Sequence, residues 1–140
     1  MILDPFERKS WIANPEFCFV TRDQNLFLDA VWKNRECSIF IDESGDMAGK
    51  YNHAINQIAT LSRNFGHKAY FIMQRTKQIS TTIRTQCTEL VMFRSSLRDT
   101  KDLADEFVQE KINMAHTLKT GEFILVRKDQ EPLFLNVFNL

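Results

Sequence analysis

The chain has 140 residues, with 18 Lys plus Arg against 18 Asp plus Glu. That is one domain's worth of sequence, and its charge balance exerts no whole-chain pull toward nucleic acid or membrane. Cys18, Cys37 and Cys87 form no C-x-x-C pair and the three histidines show no ligand spacing, which argues against a disulfide framework or a structural zinc. No apolar run approaches the roughly 18 residues needed to span a bilayer, and MILDPFERKS lacks the apolar core of a signal peptide. The expectation is a cytoplasmic protein, in a bacterial or host-cell cytosol or associated with a virion, without membrane contact.

FCFVT (Phe17 to Thr21) predicts a strand. DQNLFLDAVWKNR predicts a helix capped by Asp23, with Leu26, Phe27, Ala30 and Val31 at helical spacing. CSIFID is a second strand. YNHAINQIATLSRNF predicts a second helix, with Ala54, Ile58, Leu61 and Phe65 along one stripe and Gly66 as the stop. AYFIM (Ala69 to Met73) is a third strand, STTIRTQ a short helix capped by Ser80, and ELVMF a fourth strand. DTKDLADEFVQEK predicts a further helix with Leu103, Phe107 and Val108 inward. EFILVRKDQEPLFLNVF predicts two strands around a turn at Asp129 to Glu131, the second starting at Pro132.

Alternating strands and helices, with strands that are continuous apolar runs, predict an α/β fold. Its sheet is mostly parallel with helices on both faces, and a C-terminal β-hairpin follows. Ligands of such sheets sit at the carboxyl ends of the strands. There the chain places Asp42 and Glu43 after CSIFI, Gln74 and Arg75 after AYFIM, and Arg94, Ser95 and Ser96 after ELVMF. An Asp at a strand tip orients water around a magnesium ion on nucleotide phosphates, and the next Glu polarises a water for attack. A solvated strand end explains the Asp-Glu pair taken alone.

The ordered set SIFIDE, RNFG (Arg63 to Gly66), FIMQR, IRTQC (Ile83 to Cys87) and a strand leading to FR resembles the FtsK/HerA class of ring-forming P-loop ATPases. That class includes DNA-translocating motors and viral genome-packaging ATPases, and the resemblance covers about residues 1 to 108. It implies a RecA-like P-loop core. Asp42 would be the Walker B acid on the magnesium side, Glu43 the water-activating acid and Gln74 the strand-end sensor. Arg63 would be an arginine finger reaching a neighbouring subunit's nucleotide; as a helix-end cation it would simply satisfy the dipole. The cofactors implied are ATP and magnesium. The partners implied are DNA, other copies in a homo-oligomeric ring, and viral or partner ATPase subunits, with DNA packaging favoured. Arg75, Lys77 and Arg84 form a basic cluster that could face DNA phosphates.

The class holds phosphate in a G-x-x-x-x-G-K-[ST] loop, which this sequence lacks. GDMAGKY (Gly45 to Tyr51) is one residue too short between its glycines, ends on Tyr and follows the Walker B strand. MILDP resembles the strand after that loop and its helix, so the chain reads as a core that starts beyond the Walker A element, inactive as an isolated chain. Residues 1–118 are expected to form this partial core and 119–140 a hairpin completing the same domain. Two other readings stand beside it. FIDESGD also resembles a ribonuclease-H-like family, in which Asp42 and Asp46 would bind metal for phosphodiester hydrolysis, although that motif is expected near the start of its fold. The chain could also be a non-catalytic assembly module derived from an ATPase, its hairpin pairing with a partner's edge.

Overall fold

The computed structural model describes residues 1–6, 18–42 and 52–139. They fall into two compact units, Met1–Ile83 and Arg84–Leu140. The first carries β1 (Ile2–Leu3), β2 (Val20–Thr21), β3 (Ser38–Ile41) and β4 (Lys68–Phe71) in a parallel sheet of order β2-β1-β3-β4. The second carries β5 (Glu89–Met92), β6 (Glu122–Arg127) and β7 (Leu133–Asn136) in an antiparallel sheet of that order. This is the expected mixed α/β architecture with a terminal hairpin.

In the first unit, Asp23 caps α1 (Gln24–Lys33), accepting the N–H groups of Asn25 at 2.8 Å and Leu26 at 3.1 Å. Phe27 and Val31 are fully buried while Leu26 is 50% exposed, so the apolar stripe is rotated from the one expected. Asn52 caps α2 (His53–Leu61) by accepting the Ile55 N–H, and its amide donates to Gln24 at 2.8 Å, tying the two helix starts together. Ile55 and Ile58 are buried; Leu61, expected inward, is exposed. The helix tightens into a 3-10 turn over Ser62–Phe65 and ends at Gly66, whose φ of 74° is the left-handed stop that glycine adopts freely. Leu3, Ile39 and Ile41 are fully buried, each such side chain contributing roughly 1.5–3 kcal/mol.

His67, buried between these elements, uses both ring nitrogens. Nδ1 accepts the Cys37 N–H at 3.1 Å, so Nε2 carries the proton and donates it to the Val31 carbonyl at 3.1 Å. One imidazole thereby joins the start of β4 to α1 and to the residue before β3. The short α3 (Thr81–Gln86) begins where the Ser80 hydroxyl accepts the Ile83 N–H, as its cap position predicts.

In the second unit, Ser96 caps α4 (Leu97–Phe107). Leu103 and Ala104 pack with Met92, Ile112, Ala115, Ile124 and Val126 in one buried cluster. Val108 does not extend this face. It stands at φ 52°, is 89% exposed, and closes the helix; a 3-10 segment, Glu110–Thr117, then buries Ile112 and Ala115. The strand expected to be fourth in the parallel sheet pairs instead with β6, antiparallel, from Glu89↔Arg127 to Met92↔Ile124. The pairing sets Leu90 and Met92 against Val126 and Ile124 on the core side, and the Arg127 guanidinium donates to Glu89 at 2.8 Å across the strands. No helix among the described residues is long and apolar enough to cross a membrane.

Candidate functional site

The ladder of the parallel sheet ends in a row of polar residues. The last paired residues of β1 and β3 are Leu3 and Ile41. One residue further, the Asp42 N–H donates to the Leu3 carbonyl at 2.9 Å and the Asp4 N–H to the Thr21 carbonyl at 3.1 Å. The carboxyl rim therefore reads Thr21, Asp4, Asp42 in sheet order. All three are buried, Asp4 completely. The Asp4 carboxylate accepts the Phe6 N–H at 2.9 Å, closing a turn as the chain leaves the sheet. The Thr21 hydroxyl accepts the Asp23 N–H at 3.0 Å and so sets the start of α1.

Asp42 stands where expected. β4 ends at Phe71, and Ile72 donates its N–H to the Ile41 carbonyl at 2.9 Å. Gln74 thus lies two residues past that contact, exposed, in the loop on the same rim rather than at the strand's last residue. Arg75, exposed, precedes the 3-10 turn Thr76–Gln78 that follows β4, and Lys77, exposed, lies within it. Asp42 thus follows the carboxyl end of β3, and Gln74, Arg75 and Lys77 follow that of the neighbouring β4. Glu43, Asp46 and the stretch GDMAGKY lie outside the described residues.

One expected site residue of the first unit, Arg63, lies apart from that rim. Arg63 sits in the 3-10 turn before β4, where the Phe65 carbonyl accepts the Glu36 N–H and the Cys37 carbonyl accepts the Lys68 N–H. This is the amino end of β3 and β4. Arg63 and Asp42 therefore lie at opposite ends of a four-residue strand, about 13 Å long. Arg84 belongs to the second unit. Its guanidinium binds both carboxylate oxygens of Glu106, at 2.6–2.9 Å, with both side chains largely shielded. A cavity of about 750 Å³ in the first unit opens among Met1, Cys18, Cys37 and Ser38, at the amino ends of the strands, and has no part in this rim.

Asp4 is the residue that sequence reasoning left without a role. Its signal is an Asp directly after a short apolar pair and before Pro5, a site for an acid that leaves a strand into a turn. Carboxylate oxygens suit magnesium, which takes hard oxygen donors and keeps several waters. Asp42 and Asp4 fit that donor chemistry, although among the described residues no group of three acidic, Cys or His side chains converges as a metal cage.

No protein-family model matches the chain, and no curated protein matches it. Solved structures do. The genome packaging NTPase B204 from Sulfolobus turreted icosahedral virus 2, in complex with ATP-gammaS, aligns with a TM-score of 0.69 at 16% identity, covering 82% of this chain and 64% of that one. Its AMP complex gives 0.68 at 17%, covering 83% and 65%. The DNA-packaging ATPase B204 from Sulfolobus Turreted Icosahedral Virus gives 0.67 at 19%, covering 82% and 64%. The chain thus spans about 64% of the length of these structures, and at such identities the likeness is one of fold. In fold, the chain is similar to viral genome-packaging NTPases.

Proposed function

We propose that this chain is the Walker B and sensor portion of an FtsK/HerA-like ring ATPase that couples ATP hydrolysis to DNA movement, in viral genome packaging. The observation that carries the reading is the delivery of Asp42 and Gln74, from neighbouring parallel strands, to one rim of a sheet with the packaging-NTPase fold. In this reading Asp42 holds the water shell of a magnesium ion that neutralises nucleotide phosphate charge. Glu43 activates the attacking water and Gln74 orients it. Asp4 adds a second carboxylate beside Asp42.

Arg63, a strand's length from its own Asp42, serves the nucleotide of an adjacent copy, as a finger acting between subunits. Arg75 and Lys77 contact DNA phosphates from the carboxyl rim. The phosphate-binding loop is the part of the machinery that this sequence does not contain. The nuclease reading expects FIDESGD to open its fold, whereas two strands and α1 precede β3 here.

The test is ATP hydrolysis by the protein expressed from its complete reading frame, with DNA present. Asp42→Asn and Glu43→Gln are expected to lower turnover at least about 100-fold, and Asp46→Ala to leave it unchanged. Magnesium-dependent DNA cleavage that is lost on Asp46→Ala, with no ATP hydrolysis, would overturn the proposal in favour of the nuclease. Neither activity, with no calorimetric signal for nucleotide, would leave the assembly module.

A further inference from the structure

Arg63 is open to solvent, but the turn that carries it is fixed. It lies in the 3-10 turn Ser62–Phe65 that follows α2, and its exposed guanidinium has no hydrogen bond or ion pair among the described residues. Ser62 is buried and its carbonyl accepts the His67 N–H at 3.1 Å. The Gly66 N–H donates to the Arg63 carbonyl at 3.0 Å, and the Phe65 carbonyl accepts the Glu36 N–H at 3.0 Å. Gly66 also lets the turn come close to Glu36, whose Cγ atom would lie 3.0 Å from an added Cβ.

The anchor of this turn is the Phe65 ring, which is half-buried and meets three side chains. The Arg35 guanidinium lies over it, 4.1 Å from the ring centroid. Trp32, on the last turn of α1, meets it at a tilt of 59° with centroids 5.4 Å apart, and the His67 imidazole lies parallel to it at 6.0 Å. Arg35 is itself tethered, donating to the Trp32 and Asn34 carbonyls at 3.2 and 2.8 Å. A cation on one face and a tilted ring beside it favour one orientation of the Phe65 ring. The cluster stands at the surface of the unit, outside the fully buried set of Phe27, Val31, Ile55 and Ile58.

We infer that Phe65 is a positioning residue for Arg63: clamped by Arg35, Trp32 and His67, it fixes the turn from which the Arg63 guanidinium reaches the nucleotide of an adjacent copy. The inference rests on the reading of Arg63 as a finger between subunits and adds what makes that finger rigid. A guanidinium on a fixed turn loses less freedom when it meets developing phosphate charge. A displacement of about 1 Å at such a group costs about 100-fold in rate. A loosened turn therefore lowers kcat and leaves ATP binding alone.

The experiment is steady-state ATP hydrolysis, with DNA present, by the protein expressed from its complete reading frame. Phe65→Leu is expected to lower kcat about 10- to 100-fold, with KM for ATP within about twofold of the wild type. Phe65→Tyr keeps the ring and is expected to hold kcat within about twofold of the wild type. Arg63→Ala is expected to lower kcat about 1,000-fold, and Phe65→Leu added to it to lower kcat no further. Arg63→Ala and Phe65→Leu are then each mixed with Asp42→Asn, whose own site is inactive but whose Arg63 is intact. Both mixtures are expected to exceed the sum of the separate proteins, because the Asp42→Asn subunit supplies the finger. A subunit whose fold is damaged has no sound site to be rescued. If Phe65→Leu loses its circular dichroism, Arg35→Ala decides: it removes the cation over the ring and is expected to lower kcat about two- to fivefold. Rescue of Arg63→Ala without rescue of a folded Phe65→Leu overturns the inference and leaves the finger standing. So does an unchanged kcat in the deciding variant, or an equal fall in Phe65→Tyr and Phe65→Leu. No loss in Arg63→Ala, no rescue of it, or no hydrolysis at all overturns the finger, and the inference with it.

Discussion

Asp4 and Asp42 stand side by side, each one residue beyond the Leu3–Ile41 pair of neighbouring parallel strands, and both are buried. Asp4 also caps its own turn through the Phe6 N–H. Asp4→Asn keeps an acceptor for that N–H, so its stability in urea is expected to fall by less than that of Asp4→Leu. Asp4→Leu deprives the turn of its acceptor and is expected to lose about 1–3 kcal/mol. Equal losses in the two variants would show that the charge, not the acceptor, is what matters.

His67 joins three segments through two hydrogen bonds from one buried ring. His67→Ala removes the acceptor of the Cys37 N–H and the donor to the Val31 carbonyl and leaves a void. It is expected to destabilise the chain by roughly 2–4 kcal/mol, read from the denaturant midpoint. A loss below about 0.5 kcal/mol, the level of an ordinary surface change, would mean that neither bond matters.

Val108 closes α4 in the left-handed region, where a β-branched side chain is strained, and its side chain packs on almost nothing. Val108→Gly relieves that strain and is expected to gain about 1 kcal/mol, raising the melting temperature by a few degrees. A lower melting temperature would show that the exposed valine makes a contribution the geometry does not reveal.

Arg84 and Glu106 form a two-pronged, largely shielded pair. A double-mutant cycle is expected to return a coupling of about 1–2 kcal/mol, above that of an exposed pair. If the proposed DNA contact exists, Arg75→Ala and Lys77→Ala each lower the salt slope of binding by about 1, while Arg84→Gln lowers stability and leaves that slope alone. A slope change with Arg84→Gln would place DNA against the second unit as well.

Cys87 is partly buried, and loss of solvent pushes its thiol above the ordinary thiol range, with Lys128 pulling weakly the other way. The reactive thiolate is therefore scarcer than in a free thiol at pH 8. Alkylation of Cys87 by iodoacetamide is expected to be slower than that of an unfolded control, and to keep accelerating at pH values where the control has levelled off. Equal rates at pH 8 would contradict the shift.

Much of this was legible in residue order. Asp23 before an apolar run, Gly66 after one, and SIFI ending in Asp42 each carry a local physical reason, and each lies where that reason puts it. What escaped depends on partners. ELVM is apolar enough to be buried, but an apolar run does not state which strand it pairs with or in which direction; the answer lies in Ile124 and Val126, more than thirty residues on. In short helices several adjacent stripes are nearly equivalent, so Leu26 and Leu61 exchanged places with residues such as Ile55. Val108 runs against its own backbone preference, which no pattern of hydrophobicity reveals. Asp4 follows a strand of two residues, too short for any periodicity to register.

The distance from Arg63 to Asp42 gives the first unit a direction, with a guanidinium at one end and acids at the other. A two-fold pair set antiparallel would meet both ends at once and close as a dimer, whereas a head-to-tail arrangement repeated around an axis closes only when the number of copies matches the angle between them. If Arg63 acts on a neighbour in such a ring, the count of subunits is set by the rotation that relates one copy to the next.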